Sequence, residues 1–221
     1  MTQKLTILFD LDGTLVDTAP DLMGAHNHVM KKFGFDQKKL GDIKHLAGRG
    51  AWIMMQRSIQ EDIVTDEKLK SEMIKEFVDF YGKNIDRKSK PIKGVIDFLK
   101  WGKSKEILMA VCTNKQERLA VDLLKKIKLA DYFEYVAGCD TFDFNKPDPR
   151  HLTNVVEIIG GNLNKTIMIG DSEVDSQSAC NAKIPFILVE DGYTEKNTNQ
   201  IPHDVAIKDY LNFEKIIKKY L

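Results

Sequence analysis

The sequence predicts an α/β protein: an open parallel sheet with helices on both faces, and an all-helical block inserted after the first strand. Three observations predict it. Four short apolar runs carry no polar alternation, which marks strands buried on both faces. Segments of helical periodicity separate the later runs. The interval from about Pro20 to Ile92 holds only helical spacing and no strand-like run. A chain of 221 residues accommodates one large domain, or a core with an inserted subdomain.

The first strand is expected at Leu5-Thr6-Ile7-Leu8-Phe9, where the apolar run stops on Asp10. Pro20 suits a helix start, and Leu22, Met23, Ala25, His26, Val29, Met30 and Phe33 recur at helical spacing until Gly34. A second helix follows Gly50 through Trp52, Ile53, Met54, Met55 and Ile59. A third opens on Thr65-Asp66-Glu67, acids favoured in a first turn, and carries Leu69, Met73, Ile74, Phe77, Phe80 and Tyr81. The chain returns to the sheet near Pro91-Ile92-Lys93-Gly94. Val95, Ile96, Phe98, Leu99 and Trp101 then form a helix face that leaves Asp97 and Lys100 to solvent.

The remaining strands are expected at Ile107–Cys112, Thr166–Ile169 and Phe186–Val189. Between them lie helices marked by Leu119, Ala120, Val121, Leu123 and Leu124, and by Leu152, Val155, Val156, Ile158 and Ile159 after Pro149. The expected division is a core of residues 1–18 and 88–221 around a helical block of 19–87.

Composition narrows the function. Lys+Arg and Asp+Glu both number 33. A formal net charge of zero gives no general drive toward nucleic acid or anionic lipid, so neither is expected as a partner. Any anion must be held by a local site. Cys112, Cys139 and Cys180 are odd in number and far apart, as in a reduced cytoplasmic protein. Cys112 and Cys180 stand among apolar or small residues and are expected to be buried. No apolar run approaches a signal-peptide core or a membrane span, which again fits the cytoplasm. His26 and His28 fall in the first helix of the inserted block and show no metal-ligand spacing. Nothing in the sequence marks Lys31, Lys32 or Lys44 as desolvated.

The chemistry starts where the first strand ends. Phe9-Asp10-Leu11-Asp12-Gly13-Thr14 places two carboxylates two residues apart, followed by a tight turn. Ligands of open parallel sheets bind outside the carboxyl ends of the strands. Crowded carboxylates repel, so one is poised as nucleophile or metal ligand and the other as proton carrier. Thr113 and Asn114 follow the second strand and precede a helix, where a hydroxyl and free N–H groups suit phosphate. Asp171 follows the third expected strand through Gly170.

Asp10-Leu11-Asp12-Gly13-Thr14-Leu15-Val16-Asp17 resembles the first motif of the haloacid dehalogenase superfamily in its phosphatase branch. Val111-Cys112-Thr113-Asn114, Asn145-Lys146-Pro147-Asp148-Pro149 and Ile169-Gly170-Asp171-Ser172-Glu173-Val174-Asp175 resemble the later motifs, in order. The match spans essentially the whole chain. It implies a Rossmann-like core, with the helical block as a cap. It also implies that Asp10 attacks phosphorus to give an aspartyl-phosphate, while Asp12 protonates the leaving alcohol and then activates water. Thr113 and Lys146 would complete the catalytic set. Mg²⁺ would be held by Asp10, the backbone carbonyl of Asp12 and Asp171, with Asp175 orienting those ligands. Thr14 and Asn114 are candidates for substrate binding. So is the loop Ala47-Gly48-Arg49-Gly50, in which Gly48 and Gly50 allow close approach and Arg49 reaches a substrate carboxylate.

Within the superfamily the sequence is most similar to the phosphoglycolate phosphatases. It departs at Gln116, where many have proline, and at Glu190-Asp191. The expected activity is Mg²⁺-dependent hydrolysis of a small, phosphoglycolate-like phosphomonoester by a monomer or homodimer. A sugar phosphomutase sharing the four motifs, or a catalytically silent binding or regulatory protein on this fold, are the alternatives.

Overall fold

The computed structural model describes residues 4–46, 50–59 and 66–220. Strand β1 (Thr6–Phe9) is buried at every position. A two-residue strand β2 (Val16–Asp17) leads into four helices, α1 (Ala19–Lys32), α2 (Ile43–Leu46), α3 (Ala51–Gln56) and α4 (Glu67–Asn84). The chain returns through β3 (Lys90–Pro91) and then alternates: α5 (Val95–Ser104), β4 (Leu108–Cys112), α6 (Glu117–Lys126), β5 (Tyr135–Ala137), α7 (Arg150–Ile158), β6 (Thr166–Gly170), α8 (Glu173–Ala182) and β7 (Phe186–Val189). Strand β8 (Val205–Ile207) and helix α9 (Glu214–Ile217) complete it.

The six-stranded sheet runs β5-β4-β1-β6-β7-β8, with every neighbouring pair parallel. Phe9 lies opposite Val111 on one side and Ile169 on the other, so β1, β4 and β6 end level. The chain moves outward from β1 through β4 to β5, then crosses to the far side of β1 for β6. A crevice forms at such a reversal, outside the carboxyl ends.

The apolar side chains fall into two clusters, because successive strand residues point to opposite faces. Ile7, Phe9, Val111 and Ile169 join α5, α6 and the inserted helices on one face. Leu8, Ala110, Cys112 and Met168 join α7 and α8 on the other, through Leu152, Val155, Val156 and Ala179.

The four apolar runs became β1, β4, β6 and β7, each within one residue of its expected bounds. Strands β5 and β8 were not expected. They are the two edges of the sheet, three residues long and only partly buried, so they need no continuous apolar run. Ile96 and Ile158, expected on packed helix faces, are 41% and 51% exposed. Cys112 is buried as expected, and burial pushes its thiol up to about 12. Cys180, expected to be buried, is exposed: it lies one helical step beyond Ala179, the residue that packs inward.

Among the described residues between β2 and β3 there is no strand. Helix α1 packs on α3 and α4. His26 is buried with Nε2 2.7 Å from Ser58 Oγ, and His28 Nε2 lies 2.6 Å from Glu76 Oε1. Both histidines therefore serve helix packing. The helix expected through Ile59 ends at Gln56. Asp66 accepts from the Lys68 and Leu69 N–H groups at the start of α4, whereas Thr65 lies outside the described residues. The two chain crossings are joined by antiparallel β2–β3 pairing. Asp21 reinforces them, its Oδ2 accepting from Lys88 N–H, Ser89 N–H and Ser89 O–H at 2.7–2.8 Å. No helix among the described residues is long and apolar enough to cross a membrane.

Candidate active site

Asp10 is the first residue beyond β1, and its N–H donates to Ile169 O at 2.9 Å. That bond continues the ladder just far enough to fix the carboxylate at the crevice. Lys146 Nζ donates to Asp10 Oδ1 at 2.8 Å and to Asp175 Oδ1 at 2.6 Å. The lysine side chain is 2% exposed. Burial alone would lower its pKa, but Asp10 and Asp175 outweigh that and hold it above the ordinary range. A lysine that sequence alone assigns to the surface is thus a buried, charged centre.

Asp171 follows β6 and accepts two hydrogen bonds, from Thr14 Oγ1 at 3.1 Å and from Tyr193 N–H at 2.6 Å. Asp175 Oδ2 accepts from Ser172 N–H at 3.2 Å and Ser172 Oγ at 2.7 Å, closing the first turn of α8. Its two oxygens are therefore divided between the helix start and Lys146. Carboxylate oxygens of Asp10, Asp171 and Asp175 all lie within 4.8 Å of one another. Burial, with help from Asp175 and Asp12 and against Lys146, pushes Asp10 up to about 6. Burial and the charges of Asp10 and Asp175 raise Asp171 well above its usual range, opposed by the Tyr193 N–H bond.

The turn after Asp10 demands its glycine. Gly13 has φ +81°, and a Cβ there would stand 2.4 Å from Asp171 Oδ2. Asp12, three residues past β1, has Oδ1 accepting from Thr18 Oγ1 at 2.7 Å and Oδ2 2.8 Å from Lys115 Nζ.

Thr113 and Asn114 leave β4 beside these groups. Thr113 is 1% exposed and its Oγ1 accepts from Lys115 N–H at 3.2 Å. Asn114 Nδ2 donates to Lys146 O at 3.0 Å, while its buried Oδ1 has no partner among the described residues. The helix start expected directly after Asn114 lies further along the chain. Helix α6 starts only at Glu117, whose N–H is taken by Asp140 Oδ1 at 2.8 Å.

A cavity of about 310 Å³ opens over the cluster. Asp10, Asp12, Thr113, Asn114, Lys146 and Asp171 face it from the sheet, and Gly50 from the start of α3. Its roof is apolar, from Trp52, Met54, Ile74, Phe77 and Val78 of α3 and α4. The structure thus gathers Asp10, Asp12, Thr113, Asn114, Lys146, Asp171 and Asp175 at one end of the sheet. Thr14, expected at the substrate, is fully buried instead, and its hydroxyl is spent on Asp171. Gly48 and Arg49 lie outside the described residues.

Two residues were missed. Lys115, next to the singled-out Thr113-Asn114, is buried against Asp12, and that adjacency was the available signal. Tyr193 orders three segments: its N–H holds Asp171, while its hydroxyl accepts from Thr18 and Ala19 N–H at 2.8 Å and donates to Asp17 Oδ1. A lone tyrosine among loop residues carries no sequence signal for that role.

The profile described as haloacid dehalogenase-like hydrolase matches residues 7–189. The chain is 38% identical over 219 residues to a phosphoglycolate phosphatase of Agrobacterium fabrum, covering 96% of this chain and 94% of that protein. It is 36% identical over 205 residues to one from Mesorhizobium japonicum, covering 92% and 90%. The crystal structure of a predicted phosphoglycolate phosphatase from Haemophilus somnus superposes with a TM-score of 0.90 at 26% identity, covering 98% of this chain and 99% of that one.

Proposed function

Because the chain belongs to the haloacid dehalogenase-like hydrolases, we propose that it is a phosphatase, hydrolysing a small phosphoglycolate-like phosphomonoester with Mg²⁺ through an aspartyl-phosphate on Asp10. The observation that carries this reading is the buried Asp10 carboxylate at the crevice, 2.8 Å from Lys146 Nζ, clustered with Asp171 and sharing its cavity with Asp12. The likeness to curated phosphoglycolate phosphatases supports the substrate class.

The donor set fits a hard dication. Asp10 and Asp171 offer carboxylate oxygens close together, in a cluster where burial first, and then the neighbouring carboxylates, raise the carboxyl pKa values. Mg²⁺ favours one or two such groups plus waters and substrate phosphate. Asp10, the Asp12 carbonyl and Asp171 would hold it. Asp175, engaged by Lys146 and Ser172, orients the site from behind. When bound, the ion offsets the repulsion between Asp10 and an incoming phosphate and polarises its oxygens.

The residues divide the chemistry. An Asp10 oxygen attacks phosphorus as the ester P–O bond breaks, and Asp12 delivers a proton to the departing oxygen. Asp12 then takes a proton from water, whose oxygen attacks the same phosphorus, releasing phosphate and restoring Asp10. Lys146 neutralises charge on Asp10 and on the transferring group throughout. Thr113 and Asn114 orient the phosphate, and Thr14 acts through Asp171. The helical block of residues 19–87 serves as a cap on the core of 1–18 and 88–221. Its Gly50, which lines the cavity from the start of α3, faces the leaving group. Asp10→Asn is expected to abolish turnover of 2-phosphoglycolate while preserving the fold by circular dichroism. Full activity in that variant would refute Asp10 as nucleophile.

A further inference from the structure

Lys115 stands apart from the machinery just described. Its side chain is only 5% exposed, yet it lines the reaction cavity. An ammonium has three N–H donors. One meets Asp12 Oδ2 at 2.8 Å and a second meets the Tyr81 hydroxyl at 3.1 Å, with Nζ 4.6 Å from the Tyr81 ring centroid. The third has no partner among the described residues. With its charge already paired to Asp12, the spare donor is placed to take an acceptor that enters the cavity.

Its position says what fills it. Lys146, the other cation lining the cavity among the described residues, is committed to Asp10 and Asp175. Lys115 lies on the Asp12 side, where the leaving alcohol must be protonated. Asp12 Oδ2 lies 2.8 Å from Lys115 Nζ, so an alcohol oxygen held about 2.7 Å from that same oxygen stands no more than about 5.5 Å from the ammonium. A carboxylate on the carbon bearing that oxygen spans such a gap. Tyr81, 1% exposed on α4, fixes the ammonium from the roof side and blocks its retreat.

We propose that Lys115 is a specificity-determining residue that binds a carboxylate on the ester-bearing carbon of the leaving group, so that the site selects phosphorylated 2-hydroxy acids. The inference rests on the phosphatase reading, and its test is chosen to be separable from turnover. Binding of 2-phosphoglycolate and of ethyl phosphate, which lacks the carboxylate, is measured by calorimetry on Asp10→Asn protein with Mg²⁺. The acid is expected to bind at least about ten-fold more tightly. Adding Lys115→Met is expected to erase that preference and leave ethyl phosphate binding in place.

A preference that survives Lys115→Met overturns the proposal and moves carboxylate recognition to the loop holding Arg49. Equal weakening of both ligands also overturns it, since Lys115 would then act only through Asp12 and Tyr81. Should Lys115→Met fail to fold, the ligand series decides on the Asp10→Asn protein alone. 3-Phosphooxypropionate, with its carboxylate one methylene further away, is expected to bind more weakly than 2-phosphoglycolate, and equal affinity overturns the assignment. Loss of phosphatase activity in the wild-type chain would strike the proposed function and leave these affinities to judge Lys115.

Discussion

Replacing Lys146 with methionine keeps the length of the side chain and removes the ammonium shared by Asp10 and Asp175. The wild-type contacts are 2.8 and 2.6 Å, between side chains 2%, 12% and 1% exposed. A surface ion pair is worth about 0–1 kcal/mol. Breaking a buried one strands its partners and costs about 3–5 kcal/mol, the loss expected here. The loss also depends on pH. With Lys146 present, burial already holds Asp10 up to about 6, against an ordinary 3.8. A carboxyl group raised in the folded state keeps a proton that the unfolded chain releases, so stability falls as pH rises between those two values. Without Lys146 the folded value moves higher still, and the penalty extends to higher pH. The deficit of Lys146→Met relative to wild type is therefore expected to be larger near about pH 8 than near about pH 5.5. Urea unfolding followed by circular dichroism, in chelator, measures it at both pH values. A deficit under about 1 kcal/mol, or one identical at both, would refute the view of Lys146 as the buried counter-charge of this cluster.

Three further outcomes are expected. Tyr193→Phe leaves the Thr18 and Ala19 N–H groups without their shared hydroxyl, which costs about 2–3 kcal/mol in urea unfolding, whereas a surface tyrosine would cost almost nothing. Gly13→Ala forces a left-handed residue and drives a Cβ to 2.4 Å from Asp171 Oδ2. Its kcat/KM is expected to drop on the order of 10²-fold, read by phosphate release, because Asp171 must shift. In thermal melts, Mg²⁺ at a hundred times its Kd should stabilise the wild type by about 2.7 kcal/mol, reversibly with chelator. Asp171→Asn should abolish that gain, and an undiminished gain would place the ion elsewhere.

Much of the site was legible because its parts carry local signatures. Asp10, Asp12 and Gly13 occur together where an apolar run ends, and Asp171 follows another such run. Lys146 had no local signature apart from the prolines around it, and Lys115 had none beyond standing next to Thr113-Asn114. Tyr193 was invisible for another reason: it bonds Asp17, Thr18 and Ala19, more than 170 positions away in the chain. The edge strands β5 and β8 were missed because partial burial demands no apolar run.

The sequence by itself determined the layered sheet, the inserted helices and the place of the two leading carboxylates. Apolar periodicity, turn chemistry and strand ends are local properties of the chain. Tertiary structure decided which lysines became counter-charges, that Thr14 serves Asp171 rather than the cavity, and that the roof over the acids is apolar. Those outcomes depend on burial and on contacts between distant segments. A lysine's sequence neighbours do not reveal whether its ammonium ends in water or 2.8 Å from a buried carboxylate.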